Sequence, residues 1–167
     1  MSGGTRQIVY VDTNVVIEAT RTNCWRAIFK RFEIHTVAEV RSEAGKGNPK
    51  TPGYVKVDMA EFDANVTVHA VTAADVLNAT VKASNLAAID KGERDLLAWA
   101  AAQNPNALLL TTGDRAAVKA ACSLKLDGRL CSLEELAKQC GLSPKLNLWF
   151  TKDWLGSVKT EFLFDTI

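Results

Sequence analysis

The stretch Ile8-Val9-Tyr10-Val11-Asp12-Thr13-Asn14 decides the fold class of this chain. Its first four residues are apolar and three of them are β-branched, which indicates a strand buried on both faces, as in a parallel sheet. A carboxylate follows at once at Asp12. Ligands bind at the carboxyl ends of the strands in open α/β folds, so Asp12 is a candidate site residue. Taken alone, however, Asp12 or Asn14 is more simply explained as the cap of the next helix.

Outward from this stretch, short apolar strands alternate with amphipathic helices. This alternation predicts βα units, an α/β fold and a mostly parallel sheet of four to five strands. The further strands are predicted at residues 32–36, 66–71, 107–111 and 129–131. The main helices are predicted at residues 24–31, 37–44 after a Thr36 cap, 73–83 after a Thr72 cap, 93–103, 114–124 and 132–140. Ser132 and Glu135 have the spacing of a capping box at the start of the last helix.

Composition predicts a cytoplasmic protein without a membrane segment. The formal net charge is only +1, and 47% of the residues are hydrophobic, as in ordinary globular domains. The polar start at residues 1–7 lacks the apolar region of a signal peptide, and no apolar run approaches a membrane span. The four cysteines show no C-x-x-C pair, so neither zinc binding nor a disulfide framework is expected.

Three further acids follow strands or begin helices in the predicted fold, as Asp12 does. Asp114 follows the strand at 107–111, Asp95 lies early in the helix at 93–103, and Glu39 lies early in the helix at 37–44. Each could simply favour the positive end of a helix. Together, four carboxylates at one sheet edge would repel one another unless cations bind among them. Oxygen ligands without accompanying Cys or His favour Mg²⁺ or Mn²⁺ over zinc.

Two other motifs do not fit the sequence. The loop at residues 45–53 contains Lys50-Thr51, but Pro49 replaces the glycine of a phosphate-binding loop and no strand precedes it. A phosphatase of the haloacid-dehalogenase type needs a second Asp two residues after the first, where this chain has Asn14. His35 and His69 fall in predicted strands, and we expect packed or solvated side chains rather than metal ligands.

The acids and their surroundings resemble those of the PIN-domain family. The resemblance rests on four segments in order, and it runs from about Ile8 to Cys140: Val11-Asp12-Thr13-Asn14, Thr36-Val37-Ala38-Glu39-Val40, Gly92-Glu93-Arg94-Asp95 and Thr112-Gly113-Asp114-Arg115. It implies a three-layer α/β/α sandwich and a Mg²⁺- or Mn²⁺-dependent endoribonuclease. Many members of the family are VapC-type toxins of toxin–antitoxin pairs, commonly homodimeric, so an RNA substrate, an antitoxin protein and a homodimer are the implied partners.

On this resemblance, Asp12, Glu39, Asp95 and Asp114 are the expected metal-binding and catalytic residues. Asn14 and Thr112 are the expected accompanying polar residues. Basic side chains near these segments are candidates for phosphate contacts, namely Lys46, Lys50, Lys91, Arg94 and Arg115. Glu43 lies one helical turn beyond Glu39, and Glu93 lies two residues before Asp95, so either could replace or assist the neighbouring acid.

The chain divides into an expected nuclease domain at residues 1–144 and an aromatic-rich extension at residues 145–167. The extension is expected to cover the domain's own core or to contact a partner. Two alternatives to a toxin stay open: an RNA-processing or DNA-structure nuclease, and a non-catalytic binding module. The short single domain favours the toxin, whereas the complete set of acids argues against a non-catalytic module.

Overall fold

A parallel sheet of four strands lies at the centre of the computed structural model, which describes residues 4–166. The strands are β1 (Ile8–Val11), β2 (Glu33–Val37), β3 (Val66–His69) and β4 (Leu108–Thr111). They are arranged in the order β3-β2-β1-β4, and each neighbouring pair is parallel. β1 is therefore an inner strand, and Val9, Tyr10 and Val11 are buried as its apolar run predicts.

Helices cover both faces of the sheet. They are α1 (Thr13–Arg21), α2 (Trp25–Arg31), α3 (Ala38–Ala44), α4 (Met59–Asn65), α5 (Ala73–Lys82), α6 (Lys91–Ala101), α7 (Arg115–Ser123), α8 (Leu133–Gln139) and α9 (Lys152–Asp165). Tyr10 belongs to the core formed with α5, α6, α7 and α9, whereas Val9 and Val11 belong to the core formed with α1, α2, α4 and α8. The predicted three-layer α/β/α sandwich is confirmed.

Helix starts follow local sequence signals. Thr72 and Asp75 form a reciprocal capping box on α5, and Ser132 and Glu135 form the predicted one on α8. Each box satisfies backbone N–H groups that have no partner inside the helix. Within residues 4–166, no helix combines the length and apolar character that crossing a bilayer requires.

Two local predictions were wrong. Residues 129–131 do not form a fifth strand, because a 3₁₀ turn at Asp127–Arg129 leaves only one bridge, between Leu110 and Leu130. Thr36 does not cap α3, because it is the fourth residue of β2 and its hydroxyl donates to the Val11 carbonyl at 2.7 Å. Helix α4, capped by Asp58, was not predicted, since its seven residues carry little periodic signal.

The two histidines pack between the sheet and α6. His35 Nδ1 lies 2.8 Å from His69 Nε2, and the His69 ring stacks on Trp99 with centroids 4.5 Å apart. The other ring nitrogen of His35 lies 2.8 Å from Glu33 Oε1. Both histidines are thus occupied with neighbouring side chains on one face of the sheet.

The C-terminal extension packs on the domain itself. Phe150, Leu155 and Val158 are buried, and α9 lies along α7. Ion pairs fasten the two helices: Lys119 binds Glu161 at 3.2 Å and Asp165 at 3.1 Å. Leu163 and Phe164 at the end of α9 stay exposed.

Candidate metal and nuclease site

Asp12 lies at the carboxyl end of β1 and is only 1% exposed. One carboxylate oxygen caps α1 by accepting from the Val15 N–H at 2.9 Å, as the capping interpretation predicts. The other oxygen accepts a hydrogen bond from the Thr112 hydroxyl. Burial raises the pKa of Asp12 to about 6, with smaller contributions from the charges of Asp114 and Glu43. The two hydrogen bonds favour the ionised form and limit this rise.

Thr112 joins the ends of the neighbouring strands β1 and β4. Besides donating to Asp12, its hydroxyl oxygen accepts from the Asp114 N–H at 3.2 Å. Asp114 in turn caps α7, because its side chain accepts from the Ala117 N–H at 2.7 Å. The two strand-end aspartates therefore lie at one edge of the sheet and share a threonine, while each begins a helix.

Two glutamates complete the group of carboxylates. Glu93 lies in the first turn of α6, and burial raises its pKa to about 8, with the charges of Asp114, Asp12, Asp90 and Glu43 adding to the effect. Glu43 lies in the last turn of α3 and accepts from the Thr13 hydroxyl at 2.6 Å. We call Asp12, Glu43, Glu93 and Asp114 the acidic cleft, because the charges of Glu43 and Asp114 act on both Asp12 and Glu93.

Glu39 and Asp95, the other two predicted site acids, both contact Lys91. Lys91 Nζ lies 2.8 Å from Glu39 Oε2 and 3.2 Å from Asp95 Oδ2. Arg94 lies 3.5 Å from the other oxygen of Asp95. The hydrogen bond from Lys91 lowers the pKa of Glu39. These two acids are therefore neutralised by basic side chains beside the acidic cleft.

Helix geometry explains this division. Lys91 and Asp95 are four residues apart and share a face of α6, whereas Glu93 projects from a different direction. Glu39 and Glu43 share a face of α3 but lie one turn apart. Lys91 therefore contacts Glu39, and Gly92 contacts Glu43. The sequence indicates both as possible substitutes, Glu43 because it lies one helical turn beyond Glu39 and Glu93 because it lies two residues before Asp95.

The remaining predicted site residues differ in burial and in the elements they contact. Thr112 is buried and forms hydrogen bonds with the Asp12 carboxylate and the Asp114 N–H. Asn14 lies exposed in the first turn of α1. Arg115 pairs with Glu161 of α9 and so faces the C-terminal helix, whereas Arg94 lies beside Asp95.

The donor set of the acidic cleft fits a hard divalent cation. Four carboxylates supply only oxygen ligands, and burial, with a smaller effect of the neighbouring carboxylates, raises the pKa values of Asp12 and Glu93, so that a bound cation would favour their ionised forms. In residues 4–166 no three potential ligands are already grouped closely enough to hold a metal ion. Binding would therefore require the carboxylates to approach one another as the cation offsets their repulsion.

Comparison with known proteins adds no family assignment. Neither a scan against models of protein families nor a search among curated proteins finds a match to this chain.

Proposed function

We propose that this protein is a Mg²⁺- or Mn²⁺-dependent endoribonuclease of the PIN-like type. The observation that carries the proposal is the acidic cleft at the carboxyl ends of β1 and β4, with Thr112 joining Asp12 to the Asp114 backbone. This edge of a parallel sheet is where α/β folds bind ligands. Neighbouring, partly buried carboxylates disfavour one another's ionised forms, and a bound cation would offset that effect, which supports a metal site over a purely structural role.

The residues that would hold the cation are Asp12, Glu43, Glu93 and Asp114. A bound Mg²⁺ or Mn²⁺ would supply a water-derived nucleophile at neutral pH and neutralise charge on the scissile phosphate. Thr112 keeps the buried Asp12 carboxylate oriented and favours its ionised form. The backbone caps at Val15 and Ala117 hold Asp12 and Asp114 on rigid helix ends.

Basic side chains next to the cleft support a polyanionic substrate. Lys91 and Arg94 project from the first turn of α6, and the charges of Lys46 and Arg94 act on Glu39 together with Lys91. Such side chains contact phosphates with little sequence preference. We propose that they guide the RNA backbone across the cleft, with Glu39 and Asp95 holding Lys91 in place in the substrate-free protein.

The decisive experiment incubates purified protein with total RNA and Mn²⁺, with and without EDTA. The Asp12→Asn variant removes a charge from the cleft, and Asp63→Asn is the matched control, since Asp63 lies in an exposed ion pair with Arg41. We expect cleavage by the wild type and by Asp63→Asn, and none with EDTA or in Asp12→Asn. Full activity in Asp12→Asn would contradict the proposed site.

We further propose that the protein acts as the toxin of a type II toxin–antitoxin pair. The exposed apolar side chains Leu77 and Val81, one turn apart on α5, support contact with an antitoxin or a second copy of the chain. Induced expression in a bacterial host should arrest growth, and Asp12→Asn should not. Normal growth with active enzyme present would instead favour an RNA-processing or DNA-structure nuclease.

A further inference from the structure

A short segment before α9 connects the two helices that begin at the cleft aspartates. We call this segment, residues 147–150, the C-terminal strap. Its backbone enters beside α1: the Asn147 N–H donates to Glu18 Oε1 at 2.8 Å, and its side-chain amide donates to Oε2 at 3.2 Å. Glu18 is 3% exposed, and Arg21 also binds both of its carboxylate oxygens. The start of the strap is therefore fixed to the helix that Asp12 begins.

The other end of the strap lies on the turn that carries Asp114. Phe150 is buried, and its ring covers Gly113 so closely that a β-carbon at position 113 would lie 2.5 Å from Phe150 Cε1. Gly113 separates Thr112, which binds Asp12, from Asp114. The ring thus packs on the backbone between the two residues that bring β4 to the acidic cleft.

Helix α9 lies outside the strap and packs along α7. It follows the strap directly, and Lys119 and Arg115 of α7 both pair with Glu161 of α9. Leu155 and Val158 are buried in the core that contains α7. The segment from Asn147 onward therefore contacts α1, the β4–α7 turn and α7 in succession.

We propose that the C-terminal strap is a positioning element that sets the separation of the Asp12 and Asp114 carboxylates for cation binding. This inference rests on the proposed function. Like charges in the cleft push β1 and β4 side chains apart, and a metal site tolerates displacements of only about 0.5 Å from its productive geometry. The strap opposes that displacement by holding α1 and the Gly113 turn together from outside the cleft.

The test measures Mn²⁺ binding by calorimetry, with no RNA present. The Phe150→Leu variant keeps an apolar side chain at position 150 but removes the flat ring that packs on Gly113. Val158→Ala is the matched control, because Val158 is a buried residue of α9 that lies in a different core from Phe150. Thermal unfolding identifies a temperature at which all variants are folded, and Mn²⁺ binding is compared at that temperature. Asp12→Asn reports whether the wild-type binding occurs in the cleft.

We expect Phe150→Leu to bind Mn²⁺ roughly tenfold more weakly, equivalent to about 1.4 kcal/mol. Val158→Ala should be destabilised while it binds Mn²⁺ like the wild type. Equal affinity in Phe150→Leu and wild type would overturn the positioning role and leave the nuclease proposal intact. An equal loss in Val158→Ala would also overturn it, since general loosening would then explain the effect. Wild-type binding that is absent, or unchanged by Asp12→Asn, would overturn the metal site itself.

Discussion

The Glu43 carboxylate lies directly against Gly92, where a β-carbon would stand 2.7 Å from each of its two oxygens. The contact brings the end of α3 to the first turn of α6, next to Glu93. A larger residue at position 92 would displace only the end of a flexible side chain. The backbone of α6 would not need to move.

Gly92→Ala should therefore impair function while sparing the fold. Alanine favours a helix by up to about 1 kcal/mol over glycine, so the variant should be as stable as the wild type or more so. Displacement of Glu43 should weaken Mn²⁺ binding and reduce RNA cleavage, by roughly tenfold if about 1.4 kcal/mol is lost. Thermal unfolding and calorimetry measure the two effects separately.

Gly156→Ala is the matched control for Gly92→Ala. It also replaces a helical glycine, but apart from the neighbouring residues and backbone of α9 itself, a β-carbon there meets no atom of the described residues within 4 Å. We expect greater stability with unchanged metal binding. If Gly92→Ala behaved in the same way, the Glu43–Gly92 contact would have no part in the site.

Thr112→Val should shift the pH dependence of the site. The hydroxyl of Thr112 favours the ionised form of Asp12, whose pKa burial has already raised to about 6. Loss of a hydrogen bond to a charged group costs about 1.5–3 kcal/mol, so the pKa should rise by about one unit or more. Mn²⁺ titrations should show a greater loss of affinity at pH 6.5 than at pH 8, because protons compete with the cation.

The neighbouring Thr111→Val variant controls for the change of shape. Thr111 is also buried, but its hydroxyl has no hydrogen-bond partner in the described part of the chain. Removal of an unsatisfied buried hydroxyl should be neutral or stabilising and should leave Mn²⁺ affinity unchanged at both pH values. An equal loss in both variants would mean that Thr112 contributes only packing.

The strand-end aspartates could be predicted from sequence because their positions depend on strong local signals. β1 is a continuous apolar run, and β4 has three leucines before Thr111, so the residues that follow both strands must lie at the same edge of a parallel sheet. Asp12 and Asp114 consequently lie where the sequence indicates, and both are also helix caps. The two interpretations of Asp12 did not exclude each other.

The choice between neighbouring glutamates and aspartates could not be made from sequence. It depends on the rotation of α3 and α6 about their axes and on where the two helices touch. Glu39 and Glu43 occupy the same face of α3. Only the position along the α3 axis at which α6 makes contact decides which of the two binds Lys91. The contacts of Gly92 with Glu43 and of Gly113 with Phe150 join distant segments and leave no local pattern.

Glu93→Gln should make stability less sensitive to pH. Burial raises the pKa of Glu93 from 4.5 to about 8, so the folded protein binds a proton there that the unfolded chain has lost. Stability therefore falls as the pH rises through this interval. In EDTA the wild-type unfolding temperature should decrease from pH 5 to pH 8, and the variant should decrease less.

At pH 8 we expect Glu93→Gln to unfold at a temperature roughly 2–4 °C above that of the wild type. This corresponds to about 1 kcal/mol, a value reduced for the partial exposure of the carboxylate. Mn²⁺ should raise the wild-type unfolding temperature at pH 8 and have less effect on the variant. Parallel pH profiles in EDTA would contradict the assignment of Glu93 to the cleft.

Paired variants of α3 distinguish the acids directly. Glu43→Gln removes a carboxylate whose charge acts on Asp12 and Glu93, so Mn²⁺ affinity and cleavage should fall at least tenfold, roughly 1.4 kcal/mol. Glu39→Gln removes a carboxylate that Lys91 already neutralises, at a partly exposed position where ion pairs contribute about 0–1 kcal/mol. We expect Glu39→Gln to retain Mn²⁺ affinity. Its RNA affinity should also depend on salt concentration to a different degree from that of the wild type, because Lys91 is then less constrained.

The opposite result would contradict the proposed site. If Glu39→Gln lost Mn²⁺ binding and Glu43→Gln kept it, the cation would be held on the Lys91 side of α6, and the cleft defined by Asp12, Glu43, Glu93 and Asp114 would be the wrong site.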